Sequence, residues 1–589
     1  MSSPPRRFDL SRPLAELNPN EQAKYDSQYL RGTLQASLAD PVTGAVGETD
    51  TLFTKFFGIY QQDDRDLRDD RRRAKLEPRY QFMVRVRLPG GVCTPRQWLS
   101  LDALAREYAG STLRLTTRQT FQFHGIRKRH LRAHIQGINA AGLDTVAACG
   151  DDNRNVICTA NPLQSPAHAE VSALAKLIGR HLLPRTGAYE EVFLETTPKA
   201  PRSGSSAPRS DAEEPLYGRT YLPRKFKIAL AIPPHNDVDV FAHDLGFVAN
   251  VENGRISGYN VAVGGGMGMT HRVPATFPRL GEVIGFCAPE DVCAVAAHSM
   301  CIQRDYGDRK DRSHARFKYT IEDRGVAWFR AELERRTGRP LQGARAFHFD
   351  TSGDRSGWYQ GADGRWHYGL FVQNGRIADL PGQALLTGLR AIAASHAGVF
   401  ALTTNQNLIL AGIAEHDRAG IERLLGDHAI GTQGGGSALR RNSLACVALP
   451  TCGLAMAESE RYLPQLLDKL EVIVAAAGLE EQPISIRMTG CPNGCARPYL
   501  AEIALVGKAP GKYNLYMGAS ANGDRLNALY RENIGEREIL EALRPVLHRY
   551  AGERSPGEAF GDFVVRAGFV RAMRHGRDFQ RASPAGPGG

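Results

Sequence analysis

An α+β architecture built twice on one plan is the fold class this sequence predicts, and three observations carry the prediction. The segment LRLTTRQTFQFHGI at 113–126 resembles FALTTNQNLILAGI at 400–413, an offset of 287 residues. The Arg154-Asn155 pair of DNRNVICTANP recurs at the same offset as Arg441-Asn442 in RRNSLACVALP. Further on, GYNVAVG at 258–264 resembles KYNLYMG at 512–518, both strand-like and closed by glycine. Three matches in one order mark a duplicated unit with a pseudo-twofold relation between its halves.

Each half reads as a smaller βαβ-rich module followed by a mixed α/β module. YQFMVRVRLPGG (80–91) has the composition of a strand and turn, and TPRQWLSLDALAREYAG that of a helix ending at Gly110. LRLTTRQTFQFHG follows as the next strand, then a second helix over 130–141. That order predicts sheets covered by helices. TTPKAPRSGSSAPRSDAEEP at 196–215, rich in Pro, Ser and charge, predicts a flexible insertion, and the closing RASPAGPGG a disordered tail.

A chain of 589 residues exceeds what one core serves. With 42% hydrophobic and 23% charged residues it falls in the ordinary globular class. No apolar run approaches the roughly 18 residues of a membrane span. The start, MSSPPRRFDLSRPLAELNPNEQ, lacks an apolar signal core, so a cytoplasmic location is expected. Ten cysteines are too sparse for a disulfide scaffold, and a cluster among them reads as metal-binding. The net charge of +11 admits three explanations. These are nucleic acid at basic stretches such as RKRHLRAH (127–134), a merely solvated face, or buried cations holding an anionic cofactor and substrate.

Alternation along the first repeat separates two faces. Arg114, Thr116, Arg118, Thr120, Gln122 and His124 form a row of polar groups, with Leu115, Phe121 and Phe123 on the other side. At the matching positions of the second repeat stand Ala401, Thr403, Asn405, Asn407, Ile409 and Ala411, without charge. One copy therefore reads as an anion site and the other as scaffold. In LPRKFKIALAI (222–232), Lys225 and Lys227 share a face opposite Phe226 and Ile228. Paired lysines shed protons easily unless an anion lies between them. Arg85 and Arg154 would complete a basic cage if the fold converges them.

Four cysteines stand in a pattern of C-x5-C, 38 residues, then C-x3-C: Cys446, Cys452, Cys491 and Cys495. Four soft thiolates suit zinc or an iron–sulfur cluster, and the spacing leaves both open. At the 287 offset, Cys446 and Cys452 match Thr159 and Ser165, so this pair belongs to one half only.

Together these residues resemble the siroheme- and iron–sulfur-containing sulfite and nitrite reductase family, most closely its NADPH-dependent assimilatory branch. The likeness runs from YLRGTL (29–34) through FFGIYQQDDRD, RLPGG, RLTTRQTFQFHG, NRNV, YLPRKFK, GGG, ACVALPTC and TGCPNGC to GDFVVRAG (561–568). It implies a 4Fe–4S cluster on Cys446, Cys452, Cys491 and Cys495, with Cys495 bridging to siroheme iron. It implies siroheme carboxylates held by Arg114, Thr116, Arg118, Gln122, His124, Arg224, Arg316 and Lys318, with Gly264, Gly265 and Gly266 giving close backbone approach. Arg85, Arg154, Lys225 and Lys227 would surround sulfite, reduced by six electrons to sulfide. Electrons would come from an NADPH-oxidising flavoprotein partner or, alternatively, from ferredoxin, with neither nucleic acid nor membrane as partner. Two positions depart from the pattern: Gly453 stands where relatives commonly have proline, and Ala496 where they have glycine. The implied division is an N-terminal docking arm (1–75), ferredoxin-like half-domains (76–150 and 346–430), a siroheme-binding α/β domain (151–345), a cluster-binding α/β domain (431–578) and a tail (579–589).

Overall fold

The computed structural model describes residues 12–194, 214–431, 436–573 and 575–580. The insertion expected at 196–215, apart from its last two residues, and the run 581–589 lie outside them. Four five-stranded sheets carry the fold. In the first, Ile59–Asp63, Tyr80–Arg85, Phe121–Ile126, Leu113–Leu115 and Arg376–Ile377 lie side by side, antiparallel throughout. The second repeats this with Gly357–Gln360, Trp366–Leu370, Leu408–Ile413, Val399–Leu402 and Val92–Cys93.

The last strand of each of these sheets comes from the other half of the chain. Glycine makes that crossing possible. Gly91, at φ +68°, lies where a Cβ would sit 2.8 Å from the Gln119 side chain and 3.0 Å from the Leu402 carbonyl. Gly375, at φ +73°, is its counterpart, 2.4 Å from the Leu115 carbonyl and 3.0 Å from Gln406. Left-handed backbone and absent Cβ are both required here. Helix Pro95–Tyr108 starts at a Thr94–Gln97 capping box and buries Trp98, Leu101, Leu104 and Ala105 at helical spacing. It packs beside its counterpart Leu385–Ser395, and Trp98 stacks on Phe400 of the second sheet with centroids 4.4 Å apart.

The remaining sheets share a second plan. Ile157–Cys158, Ile228–Ala231 and Leu245–Glu252 run parallel, followed by antiparallel Arg255–Val263 and Glu282–Cys287. Ser443–Ala445, Ile486–Thr489 and Ile503–Ala509 run parallel, followed by antiparallel Lys512–Met517 and Ala528–Ile534. One apolar core joins the half-domain sheets to the third sheet, a separate one fills the fourth, and Met267, Met269 and Tyr319 meet Tyr499 and Tyr516 between the two α/β units. The duplicated α+β architecture is thus present in both of its modules.

Three expectations need correction. Residues 113–124 are not one strand but a hairpin, Leu113–Leu115 and Phe121–Ile126. Thr116 N–H donates to the Thr120 carbonyl, the Thr116 hydroxyl accepts from Arg118 N–H at 3.1 Å, and Gln119 takes φ +50°. Polar turn chemistry overrides the alternation that suggested a continuous strand. The N-terminal docking arm expected at 1–75 is not a separate unit: Phe53, Phe56 and Phe57 are in the core, and Lys24, fully buried, donates to the Leu222 carbonyl at 2.6 Å. The expected tail starts too early, since Phe579 is buried against Tyr499 and Tyr516. Among the described residues no helix is long and apolar enough to cross a membrane.

Candidate cofactor and active site

Pairing across the first sheet, rather than along one strand, lines up the cations. Arg85 lies opposite Gln122, Gln122 opposite Arg114, and Arg114 opposite Arg376. Directly opposed residues point to the same face, so Arg85, Gln122, Arg114 and Arg376 form a row across four strands. His124, two residues beyond Gln122, shares that face. Its imidazole is held well below its usual pKa by burial and by Arg376, Arg114 and Arg85, and neither ring nitrogen has a hydrogen-bond partner. Arg376 has no counterpart in the sequence reading, because only the exchanged strand brings it here. Glu460, also missed, bridges Arg114 at 2.8 Å and Arg376 at 2.7 Å. Removing one partner of a buried pair costs about 3–5 kcal/mol. Glu460→Ala is therefore expected to lower stability by about that amount in a denaturant titration, and an unchanged midpoint would show the bridge to be dispensable.

Lys225 and Lys227 precede strand Ile228–Ala231, half-buried, while Phe226 and Ile228 are buried, as the alternation implied. Burial, then Arg224, Arg316 and Arg154, drive the pKa of Lys225 well down, and the Cys495 sulfur is also within its electrostatic reach. Lys227 is lowered by burial, Lys225, Arg118 and Arg316, against one carboxylate, Asp244. Burial and the cations Arg497, Arg154 and Arg85 bring Arg118 down to about 9, with Asp244 opposing. Arg118 donates to the Asn155 and Ile228 carbonyls, leaving its Nε without a partner, as is the Nε of Arg316. Arg154 donates to the Gly150 carbonyl, and Arg85 to the Cys149 sulfur at 2.9 Å. The Tyr60 phenol faces Cys149, Arg154 and Arg85, another neighbour sequence reasoning missed.

Other members of the expected set are occupied by the protein itself. Arg224, brought down to about 10 by burial and Arg312, lies 3.8 Å from Asp151. Lys318 donates to the carbonyls of Gly266, Gly268 and Phe277. Gly264 and Gly265 are packed against Ile321 and the Phe241 carbonyl, whereas Gly266 faces Arg316 and Lys318. In the second hairpin, Thr403, Asn405 and Asn407 all donate to one carboxylate, Asp354, at 2.5, 2.9 and 2.8 Å. The uncharged copy of the row thus holds an anion that the chain supplies.

The four thiols come from two strand ends of the fourth sheet. Cys446 follows Ser443–Ala445 and Cys491 follows Ile486–Thr489, neighbouring parallel strands. Cys446 accepts from Gly490 N–H at 3.3 Å and from the Thr489 hydroxyl at 3.5 Å. The turn Cys491–Cys495 is clamped: Met269 N–H donates to the Pro492 carbonyl at 2.9 Å and the Thr117 hydroxyl to the Cys495 carbonyl at 3.2 Å. Arg497, just beyond, ion-pairs with buried Asp239 at 2.5 Å. Burial and then Cys495 push Cys452 up to about 11 and Cys491 up to about 12, each also feeling Cys446. The quartet therefore shares one neighbourhood. Yet among the described residues no three His, Cys, Asp or Glu side chains converge as ligands of a single ion. A larger inorganic core beside an anionic macrocycle suits the thiols, the partnerless nitrogens and the surplus of cations.

Comparison with known proteins follows the same division. "Nitrite/Sulfite reductase ferredoxin-like half domain" matches at 74–141 and again at 359–428, over the first and second sheets. "Nitrite and sulphite reductase 4Fe-4S domain" matches at 173–341, over most of the third sheet. Sulfite reductase (NADPH) hemoprotein beta-component of Chromohalobacter salexigens is 60% identical over 567 residues, covering 96% of this chain and 97% of that one.

The chain belongs to the nitrite and sulphite reductase family.

The namesake protein of Afipia carboxidovorans is 57% identical over 98% of both chains. The solved structure of Mycobacterium tuberculosis NirA, 24% identical, superposes with a TM-score of 0.75 over 94% of this chain and 97% of that one, and shows the shared fold. As a nitrite and sulphite reductase family member the chain is an enzyme, and its cofactors are siroheme and a 4Fe–4S cluster. The match at 173–341 does not include the four cysteines. They stand in the fourth sheet, which repeats the strand plan of the third.

Proposed function

We propose that this chain is the hemoprotein component of an NADPH-dependent sulfite reductase, carrying sulfite to sulfide with six electrons from a flavoprotein partner in the cytoplasm. The observation that carries the reading is that Lys225, within a group of arginines and next to Lys227, lies within electrostatic reach of the Cys495 sulfur. In this reading Cys446, Cys452, Cys491 and Cys495 would hold the cluster, with Cys495 also serving the siroheme. Arg114, Gln122 and His124, joined by Arg376, hold the macrocycle's carboxylates through charge-assisted hydrogen bonds. When bound, the coupled cofactors would relay the partner's electrons to the substrate.

The chain's own residues do the rest. Arg85 and Arg154 are anchored by N–H groups donating to the Cys149 sulfur and Gly150 carbonyl, and their other N–H groups would bind sulfite oxygens. Lys225 and Lys227, whose pKa values burial lowers first, give up Nζ protons readily to oxygen leaving as water. The boundaries at 76, 151, 346 and 431 belong to this reading; the half-domain matches at 74–141 and 359–428 support two half-domains, and strand Ile59–Asp63 extends the first sheet to before residue 76.

Purified protein should contain about five irons per chain, four in the cluster and one in the macrocycle, with strong visible absorption. It should reduce sulfite with reduced methyl viologen. A colourless zinc protein would refute the assignment.

A further inference from the structure

Residues 65–79, RDLRDDRRRAKLEPR, hold seven cations and four carboxylates on the surface beside the first sheet. They meet the basic stretch 127–129 around a cavity of about 560 Å³ lined by Arg71, Arg79, Arg127 and Arg129. Arg68, Arg72 and Arg73 are paired with Asp63, Asp69 and Asp70, and Asp40 and Glu77 also line the cavity, but among the described residues no salt bridge ties up Arg71, Arg79, Arg127 or Arg129. Arg71 donates to the Glu77 carbonyl and Arg127 to the Tyr80 carbonyl, both main-chain oxygens. The Glu77 carboxylate turns instead to the Thr43 hydroxyl at 2.7 Å and Gly44 N–H at 2.9 Å. Burial, then Arg79, Arg129 and Arg71, lower the pKa of Arg127.

The basic face runs on to the turn carrying Cys452. Asp64 N–H donates to the Arg79 carbonyl, and Arg65 N–H to the Pro450 carbonyl. The Arg65 guanidinium then spans the Cys452 and Ala455 carbonyls at 3.0 and 2.7 Å. Between those two residues Leu454 is 69% exposed, and Leu76, across the face, 54% exposed. An apolar spot over a proposed cluster ligand, with Arg71, Arg79, Arg127 and Arg129 outside any salt bridge among the described residues and outnumbering the carboxylates Asp40 and Glu77 around the same cavity, has the anatomy of a steered, short-lived protein contact.

We propose that this face, from Arg71, Arg79, Arg127 and Arg129 to Leu454, docks an acidic electron-carrying protein, which delivers electrons beside Cys452. The proposal rests on the reductase reading. It also assigns donor docking to a surface formed by two parts of the first half and one turn of the second, of which Arg65 and Arg71 belong to the N-terminal stretch 1–75.

The test uses the holoenzyme and the variant Arg71→Glu/Arg127→Glu/Arg129→Glu, none of whose positions touches the cation row or the thiols. Sulfite reduction is followed with reduced methyl viologen and with NADPH plus a recombinant sulfite reductase flavoprotein component, with reduced ferredoxin as a third donor. Binding of the oxidised flavoprotein is measured separately by sedimentation at low and high salt. The variant should keep the viologen rate, lose about 10-fold or more of kcat/KM with the protein donor, and lose its salt-sensitive binding. Unchanged flavoprotein kinetics and binding, or an equal fall with viologen, would overturn the proposal. So would salt-sensitive binding of single-stranded nucleic acid that alone is lost in the variant. A wild type inactive even with viologen would refute the reductase reading, while the sedimentation result would still decide the docking surface.

Discussion

Cys446→Ser is expected to yield a folded chain without its 4Fe–4S cluster and without sulfite reduction. The sulfur of Cys446 receives two donors, Gly490 N–H and the Thr489 hydroxyl. Burial, then Cys495, push the Cys446 pKa up, and these two donors work against that rise, since hydrogen bonds to an ionised acceptor are the stronger ones. Serine would present a hard, weakly acidic oxygen where iron in such a cluster takes a soft thiolate. Losing even a supporting contact costs a metal site about 10–100-fold in affinity or activity, so losing a ligand should cost more. The fourth sheet's core, from Leu439 to Val570, does not include Cys446, so far-UV circular dichroism should be retained. Full iron content and an unchanged visible spectrum in the variant would remove Cys446 from the ligand set.

Lys225→Ala/Lys227→Ala should behave differently, retaining iron and visible absorption but losing sulfite turnover. Neither lysine is tied to a carboxylate in a salt bridge, and each lies among arginines that raise the local potential. Groups that meet developing charge in a site shielded from water are worth about 10²–10³ in rate apiece. The double variant should therefore fall by at least about that factor in kcat, with KM for sulfite rising as the cage loses charge. Lys225→Arg/Lys227→Arg restores the charge but not an acid of similar strength, so it should recover KM more than kcat. Wild-type kcat in the alanine variant would place these lysines outside the reaction.

Much of this was legible in the sequence because duplication leaves a ruler. The 287-residue offset located the two hairpins, and the loss of charge in the second located the anion side. The sequence did not reveal how the row is assembled. Arg114 and Gln122 lie opposite each other across a turn, and Arg376 reaches Arg114 from 262 residues away. Such register is invisible to alternation within one segment. Glycine positions misled in a different way. Gly264 and Gly265 have the composition of a ligand cradle, yet their space is taken by Ile321 and the Phe241 carbonyl, a matter of tertiary packing alone. The resemblance implies Lys318 as a cofactor contact, and three main-chain carbonyls occupy it instead.

The swapped strands Val92–Cys93 and Arg376–Ile377 leave neither half whole by itself. A gene cut near the midpoint would give each fragment a sheet with an unpaired edge and an orphaned strand, so the fragments should complement one another in one cell while neither stays in solution alone. The same interlock couples inheritance to geometry: an arginine encoded in the second half can be lost only at the expense of the first half's row.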